Sequence, residues 1–433
     1  MSEVVVGLIG LTAVLILFLT GIELAFAMIL VGFIGFSYLV SIEAAMHLVA
    51  KDLYEVFASY GYTVFPIFIL MGQVAFASGM AGRLYDAAYK FLGHIPGGLA
   101  MATVGGATAF KAVCGSAAAT AATFAAVAIP EMDRYNYSKK LSAGVVAIVG
   151  TLGCMLPPSV YLIIFGIITE QSIGRLFLAG IIPGLFIAGL FLVTIYGWGK
   201  MNPGLAPAGG RSTWKERLLV LPEILIVAAI FVLMILGLMR GFFTPTEAGS
   251  VGTAAVMLLV VLRKQLKFRS YVKALGDSMR TACMMLMLIG GSAVLGHLIA
   301  ITNIAQIMAE WVTALPINRN IIMVIICIIY LLGGSFIDDL AFMILATPIF
   351  FPAVLKLGFN PVWFCIMIGV TQMIGVVIPP VAINVFIVTN ITKTPMSVVY
   401  NGVYPFLLGI CLFGALLFIF PQLALFLPSY LMP

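Results

Sequence analysis

The chain is poor in charge. Only 9% of its 433 residues are Asp, Glu, Lys or Arg, whereas 63% are hydrophobic and the mean hydropathy is +1.19. A soluble globule of this size needs a larger polar share to coat itself, so the composition implies a polytopic membrane protein. Histidine is scarcer still, with three residues and no HExxH spacing. The six cysteines (Cys114, Cys154, Cys283, Cys327, Cys365 and Cys411) lie in apolar segments with no CxxC pair, which argues against disulfides and against a zinc site. The N-terminus MSEVVVGL has no basic lead-in and no small-residue cleavage site before a polar region, so the first apolar run reads as a retained helix rather than a secretory signal.

Catalytic spacings are missing too. An intramembrane aspartyl protease needs two aspartates facing each other from different helices, but Asp338 and Asp339 are adjacent. A prenyl transferase needs DDxxD to hold magnesium, and FIDDLAFM breaks that spacing. An enzyme is not indicated. The net charge of +6 calls for no nucleic acid, because the positive residues serve as orientation signals and headgroup contacts.

What the chain has is apolar length. Spanning about 30 Å of hydrocarbon takes roughly 20 helical residues. Val5–Thr20, Leu24–Val40, Phe177–Trp198, Leu218–Met239, Ala248–Leu262 and Phe406–Phe420 are all too long for strands of an outer-membrane barrel, so the architecture is a helical bundle in a lipid bilayer. AAMHLVAKDLYEVFAS reads as an amphipathic helix on the outer face, matched by Arg269–Ala282 inside. Trp198, Trp214, Trp311 and Trp363 fall near predicted helix ends, as interface anchors do.

Proline interrupts these runs in a repeated pattern. Gly153-Cys-Met-Leu-Pro157-Pro158 is answered by Gly375-Val-Val-Ile-Pro379-Pro380, 222 residues on, and Gly180 and Pro183 pair with Gly402 and Pro405 at the same offset. Upstream, Gly115-Ser116 is matched with Gly334-Ser335, Pro130 with Pro348 and Pro96 with Pro316. The chain therefore reads as two copies of one unit joined near MNPGLAPAGGRST.

Basic residues give the relative orientation of the copies. If each unit crosses an odd number of times, 16 of the 22 Lys and Arg fall on one face: Arg83, Lys90, Arg134, Lys139, Lys140, Lys200, Arg211, Lys215, Arg217, Arg263, Lys264, Lys267, Arg269, Lys273, Arg280 and Lys393. Five remain for the other (Lys51, Arg175, Arg240, Arg319 and Lys356), with Lys111 left inside a membrane segment. The copies are then inverted, with both termini outside. Inverted repeats with matching helix breaks point to a secondary transporter whose site lies at the midplane, where unwound carbonyls face a cation or substrate.

A Gly-Ser segment precedes each break. Lys111–Met132 has a helix-breaking Gly115-Ser116, small residues throughout, and arms too short for a comfortable span, which fits a re-entrant hairpin with its tip at Cys114–Ala117. The second copy, Leu331–Pro352, adds Asp338 and Asp339 just past its tip, where a buried charge is functional by default. On a helical wheel the two are about 100° apart, so they are not expected to share one site. Arg175 is expected to anchor a helix end. The predicted organisation is a first inverted repeat at 1–200 (scaffold helices 1–60, hairpin and broken helix about 97–172), a cytoplasmic linker at 201–216, and a second repeat at 217–433 (scaffold helices 217–275, hairpin and broken helix about 320–393).

These residues resemble the large membrane subunit of tripartite ATP-independent periplasmic (TRAP) transporters. The likeness spans essentially the whole chain and is densest in GSAAATAAT, AIPEM, GTLGCMLPPSVYLIIFGIITEQSIGRLFLAGIIPGL, FIDDLAFMILATPIFFP, NPVWF and IGVVIPPVAIN. It implies an all-α polytopic protein of the bacterial cytoplasmic membrane, with two inverted structural repeats, each holding a re-entrant hairpin and a Pro-Pro-broken helix. It further implies an elevator-type transporter of the ion transporter superfamily. The implied activity is sodium-coupled import of an organic acid, handed over by a periplasmic substrate-binding protein, with a four-helix small membrane subunit bracing the large one. Carried over, one Na+ site draws on Gly115, Ser116, Thr151, Gly153 and Pro157, and a second on Gly334, Ser335, Asp338, Gly375 and Pro379. Hard oxygen ligands freed at Gly and Pro breaks suit that ion. Ser159, Asn384 and Thr389 are the substrate candidates, the last two with bonding across helices as the alternative. The chain departs from the family at the first tip: Cys114-Gly-Ser-Ala117 stands where Ser-Gly-Ser-Ser is common, and Lys111 replaces a small apolar residue. A related carboxylate symporter, driven by sodium or protons without a binding protein, is the competing reading.

Overall fold

The computed structural model describes residues 2–202 and 204–432. Among them the chain is all helical, with α1 (Glu3–Leu19), α2 (Leu24–Leu39), α3 (Ile42–Ala58), α4 (Val64–Ala77), α5 (Met80–Leu92), α6 (Gly98–Lys111), α7 (Ala117–Arg134), α8 (Lys139–Thr151), α9 (Val160–Ile168) and α10 (Ile173–Met201) in the first half. The second half holds α11 (Trp214–Met239), α12 (Pro245–Leu262), α13 (Phe268–Ile301), α14 (Ile304–Ala314), α15 (Arg319–Phe336), α16 (Asp339–Lys356), α17 (Pro361–Gly375), α18 (Ile383–Thr392), α19 (Met396–Ile419) and α20 (Gln422–Leu431). Eight helical stretches are long and apolar enough to cross a membrane. Their outward faces carry bare aliphatic and aromatic side chains, such as Leu219 at 81% and Phe268 at 83% exposure, which lipid solvates and water does not. All six cysteines are free.

Set side by side, the two halves run their helices in a similar order, except that α13 stands where α3 and α4 stand in the first half and α20 has no counterpart there. The amphipathic α3 is separated from α4 by a 3-10 turn, Tyr60–Thr63, beside Gly61 and Pro66. The matching stretch has neither residue between Ala282 and Leu288, so Arg269–Ala282 runs straight into an apolar helix and α13 reaches 34 residues. A helix lying alone on the inner face is not what forms there.

Packing sorts the helices into two groups. In one, α13 lies along α2, α3 and α4, and α12 packs on α4 and α11. Small residues permit the contact: a Cβ at Gly32 would come within 3.0 Å of the Leu295 amide nitrogen, and one at Gly291 within 2.6 Å of the Ala25 carbonyl. This group therefore runs past residue 60, through α4, and past residue 275 to the end of α13. In the other, α8 packs on α7, α18 and α19, while α17 packs on α15, α10 and α19. Helices α8 and α19 touch backbone to backbone, because a Cβ on either Gly144 or Gly402 would strike the other helix. Helix α5 links the groups through α6 and α11, and α14 does so through α16 and α13.

The segment between the halves is not a loose tether. Gly97 and Ser138 donate their amides to the Ala206 and Leu205 carbonyls at 3.1 Å, and Tyr137 Oη donates to the Pro207 carbonyl at 2.8 Å, so the segment closes the base of the α6–α7 pair. Of the four tryptophans, Trp214 and Trp311 are exposed as anchors should be. Trp363 is not: it is buried, donating Nε1 to the Leu417 carbonyl at 3.0 Å, because α19 covers the start of α17.

Candidate functional site

At the first tip, α6 stops at Lys111 and residues 112–116 turn back into α7. Ser116 caps α7, its Oγ accepting from the Ala119 amide at 3.2 Å. Nearby, α8 ends at Thr151, whose hydroxyl bonds to the Ile148 carbonyl of its own helix at 2.7 Å. The chain continues through a 3-10 turn and a cis Pro157-Pro158 bond before α9 resumes. Ser159, fully buried, donates Oγ to the Gly153 carbonyl at 2.7 Å, with the Cys154 carbonyl at 3.3 Å, and accepts from the Leu162 amide at 3.4 Å. One side chain thus meets the carbonyls that the proline break releases and starts the next helix.

Tip and break interlock. A Cβ on Gly153 would come within 2.9 Å of the Ala117 amide nitrogen and 2.6 Å of Lys111 Nζ, and one on Gly115 would strike the Pro158 carbonyl. Lys111 is completely buried, with Nζ 2.9 Å from the Ser116 carbonyl and 2.6 Å from Thr120 Oγ1. Pro157 points elsewhere, into an apolar groove it shares with Ile181, Leu185 and Phe231.

At the second tip the Gly-Ser pair is not in the turn. Helix α15 runs through Gly334 and Ser335 to Phe336, the turn is Ile337-Asp338, and α16 begins at Asp339. Matching the helix caps sets Ser116 opposite Asp338, an offset of 222, the same as between the two breaks. The Gly115-Ser116 to Gly334-Ser335 pairing is therefore corrected by three residues. Asp338 Oδ1 accepts from the Leu340 and Ala341 amides, each at 3.2 Å. Ser335 donates to the Leu332 carbonyl at 2.8 Å, and its own carbonyl accepts from Val381 across the second break at 3.1 Å. Gly375 packs closely on Gly334: a Cβ on it would come within 3.2 Å of the Gly334 carbonyl carbon. Pro379 and Pro380, also joined cis, are exposed, as is Val381 at 43%.

The two tips meet at one cavity of about 250 Å³. One wall is Gly115–Ala119, Gly153, Cys154, Tyr161, Asp338 and Asp339, and the other is Phe68 and Gln73 of α4 with Thr281 and Met284 of α13. The N-termini of α7, α9 and α16 all end on it and point their positive dipole ends at it, with Ser116, Ser159 and Asp338 capping amides of each first turn. Asp339 brings its Oδ2 to 3.5 Å from Cys154 Sγ, tying the second tip to the first break. No ion pair forms to either aspartate among the described residues.

The substrate candidates lie off the cavity. Ser159 braces the break, Asn384 donates Nδ2 to the Ala147 carbonyl at 3.2 Å, and Thr389 sits further along α18. Arg175 donates to the Met432 carbonyl at 2.8 Å, does not line the cavity, and ties α10 to α20 as an anchor does. Two residues escape sequence reasoning. Asp339 shares the cavity with Asp338 because Asp338 is a cap with ψ 135°, so the helical-wheel angle does not apply. Gln372, fully buried, has both carboxamide atoms without a hydrogen-bond partner, and a Cβ on Gly334 would land on its Oε1. A lone amide in PVWFCIMIGVTQMIG was the available signal.

The sodium expectation can be tested on these atoms. The second tip has an orphaned carboxamide against Gly334 and, facing the cavity, a carboxylate without a cation among the described residues; oxygens of these kinds suit Na+. At the first, the Lys111 ammonium meets two oxygens, the Ser116 carbonyl and the Thr120 hydroxyl.

The class of protein that this helical membrane fold belongs to is that of the transporters it is similar to. Residues 11–423 match the family model described as tripartite ATP-independent periplasmic transporter, DctM component. The chain is 32% identical over 384 residues to the C4-dicarboxylate TRAP transporter large permease protein DctM of Pseudomonas aeruginosa, covering 88% of this chain and 89% of that one. It is also 32% identical to the ectoine TRAP transporter large permease protein TeaC of Halomonas elongata, covering 84% of each. The solved YdaH transporter of Alcanivorax borkumensis shares the fold, with a TM-score of 0.56 at 14% identity over 88% of this chain and 89% of that one. The chain belongs to the DctM family of TRAP large permeases and is a multi-pass protein of the bacterial inner membrane.

Proposed function

We propose that the chain imports a small organic acid by sodium-coupled secondary transport, taking it from a periplasmic binding protein and working with a small membrane subunit. The observation that carries this is the cavity: its size suits a small molecule, and the positive ends of α7 and α9 face it from the first tip and break, while the Asp338 and Asp339 carboxylates of the second tip mark the side where a cation rather than the acid would lie. Its walls also divide the helices. The tips belong to the group containing α6–α10 and α15–α19, while α4 and α13 belong to the other. In an elevator cycle the first group slides past the second carrying the cavity contents, with α5 and α14 as connecting arms, and the sodium site at the second tip uses Gln372 and Asp338 with the carbonyls around Gly334 and Gly375.

Inverted repeats fit the ion contacts. Lys90 meets Glu216 at 3.0 Å, Arg83 and Arg263 share Glu223, and Lys140 covers Trp198, all on the face assigned as cytoplasmic. Lys356 pairs with Glu310 at 3.4 Å and Arg319 reaches the Leu357 carbonyl at 3.5 Å, both on the opposite face. None of these contacts joins residues of opposite assignment. Relatives of equal identity are named for a dicarboxylate and for ectoine, so the binding protein, rather than this subunit, is the natural holder of substrate choice.

The test is reconstitution of the three components in liposomes with a panel of acids under a sodium gradient. Uptake that requires sodium and the binding protein is the expected result. Uptake unchanged in choline overturns sodium coupling, and uptake by this chain alone favours the symporter reading.

A further inference from the structure

Lys111 is a buried cation with no acid beside it. No carboxylate lies within ion-pair reach of it among the described residues. Its Nζ is held by a main-chain carbonyl and a hydroxyl, those of Ser116 and Thr120, and it abuts Gly153. That is the environment a bound alkali ion would have at a helix break: neutral hard oxygens at a hairpin tip. The surrounding acceptors are already engaged. Thr120 Oγ1 donates to the Ser116 carbonyl at 2.9 Å, and the Gly153 carbonyl takes the Ser159 hydroxyl. A sodium ion sharing these oxygens would sit a bond length or so from a like charge inside the protein, where repulsion is strong and no water screens it.

We infer that the Lys111 ammonium is a tethered cation that permanently takes the place of a sodium ion at the first tip, so that this protein binds sodium at the second tip only. The second half shows how particular the device is. At the positions 222 residues on, Gly333 stands for Lys111 and Phe342 for Thr120, and the Phe342 ring fills the space a side chain on Gly333 would need. The cation and its hydroxyl partner are both replaced there, and the tip carries Asp338 instead. A tethered charge returns with the hairpin on every cycle. It balances the tip's dipoles and carbonyls, yet draws no energy from the sodium gradient, which lowers the coupling by one ion per substrate.

The inference rests on the sodium reading above, and equilibrium binding of radioactive sodium to the purified chain with its small subunit, in lipid nanodiscs, separates the two. Wild type should bind one sodium per chain, and Lys111→Ala, which removes the charge and opens its space, should bind one more. Lys111→Arg should match wild type. An unchanged count in Lys111→Ala overturns the inference, as does a count of two in wild type. A count of zero in wild type overturns sodium coupling, while a gain of one in Lys111→Ala still upholds the role of Lys111. Should Lys111→Ala not fold, thallium soaked into wild-type crystals decides: anomalous density at the second tip alone supports the inference, and density between Ser116, Thr120 and Gly153 overturns it.

Discussion

The two tips differ in both turn and charge: five residues and a buried lysine at the first, two residues and a pair of aspartates at the second. Each is capped at an equivalent residue, Ser116 in one and Asp338 in the other, and each packs against a glycine of the following break, Gly153 or Gly375. The first is closed on itself by the buried Lys111 and Ser159, with its tip residues 115–119 half-buried against the cavity. The second has two carboxylates facing a cavity, an unpartnered Gln372 behind it, and exposed prolines. Side chains close the first tip on itself, whereas at the second they leave carboxylates that no basic residue pairs among the described residues.

If that contrast is right, the cap positions will not respond alike. Asp338→Asn should lower sodium-driven uptake by about 10- to 100-fold, because a charged ligand interaction of about 1.5–3 kcal/mol is lost while the cap survives. Ser116→Ala should cost only a helix cap, about 1 kcal/mol, seen as a lower unfolding temperature with uptake reduced less than about tenfold. Initial rates at fixed sodium, measured for both variants side by side, check this. Equal losses would mean that the tips share one role.

The breaks offer a second comparison. Ser159→Ala removes the donor to the buried Gly153 carbonyl and the cap on α9, which should destabilise the protein by about 2 kcal/mol. Its counterpart Val381 is exposed and supplies only its amide, so Val381→Ala should cost no more than about 0.5 kcal/mol. Thermal unfolding in detergent distinguishes them.

Much of this was legible in sequence because prolines, glycines and basic residues act locally. Two prolines stop a helix wherever they fall, and their common offset of 222 marked both breaks. The tip register was not legible, since Gly334-Ser335 looks like Gly115-Ser116, yet α15 keeps its helical turn through those residues and α6 does not. Nor was the bond of Lys111 to Thr120, because it needs the hairpin to fold back over nine residues before donor meets acceptor. Trp363 misled for the reverse reason: its position near a helix end says nothing about α19 covering it. Pairing of Asp339 with Cys154 joins residues 185 apart and has no local signature at all.

Gln372 gives the smallest effect. It occupies the position equivalent to Gly150, so only the second copy carries an amide there, buried and without partners. Such a group costs about 1–3 kcal/mol unless a ligand meets it. Gln372→Leu replaces it with an apolar side chain of similar size, and the unfolding temperature in choline should rise by an amount corresponding to about 1 kcal/mol. In sodium the order should reverse, because the wild-type carboxamide gains an ion and the leucine does not, and ligand binding to the folded state raises stability by mass action. A variant more stable than wild type in both salts would assign the carboxamide to structure and move the ion away from the second break.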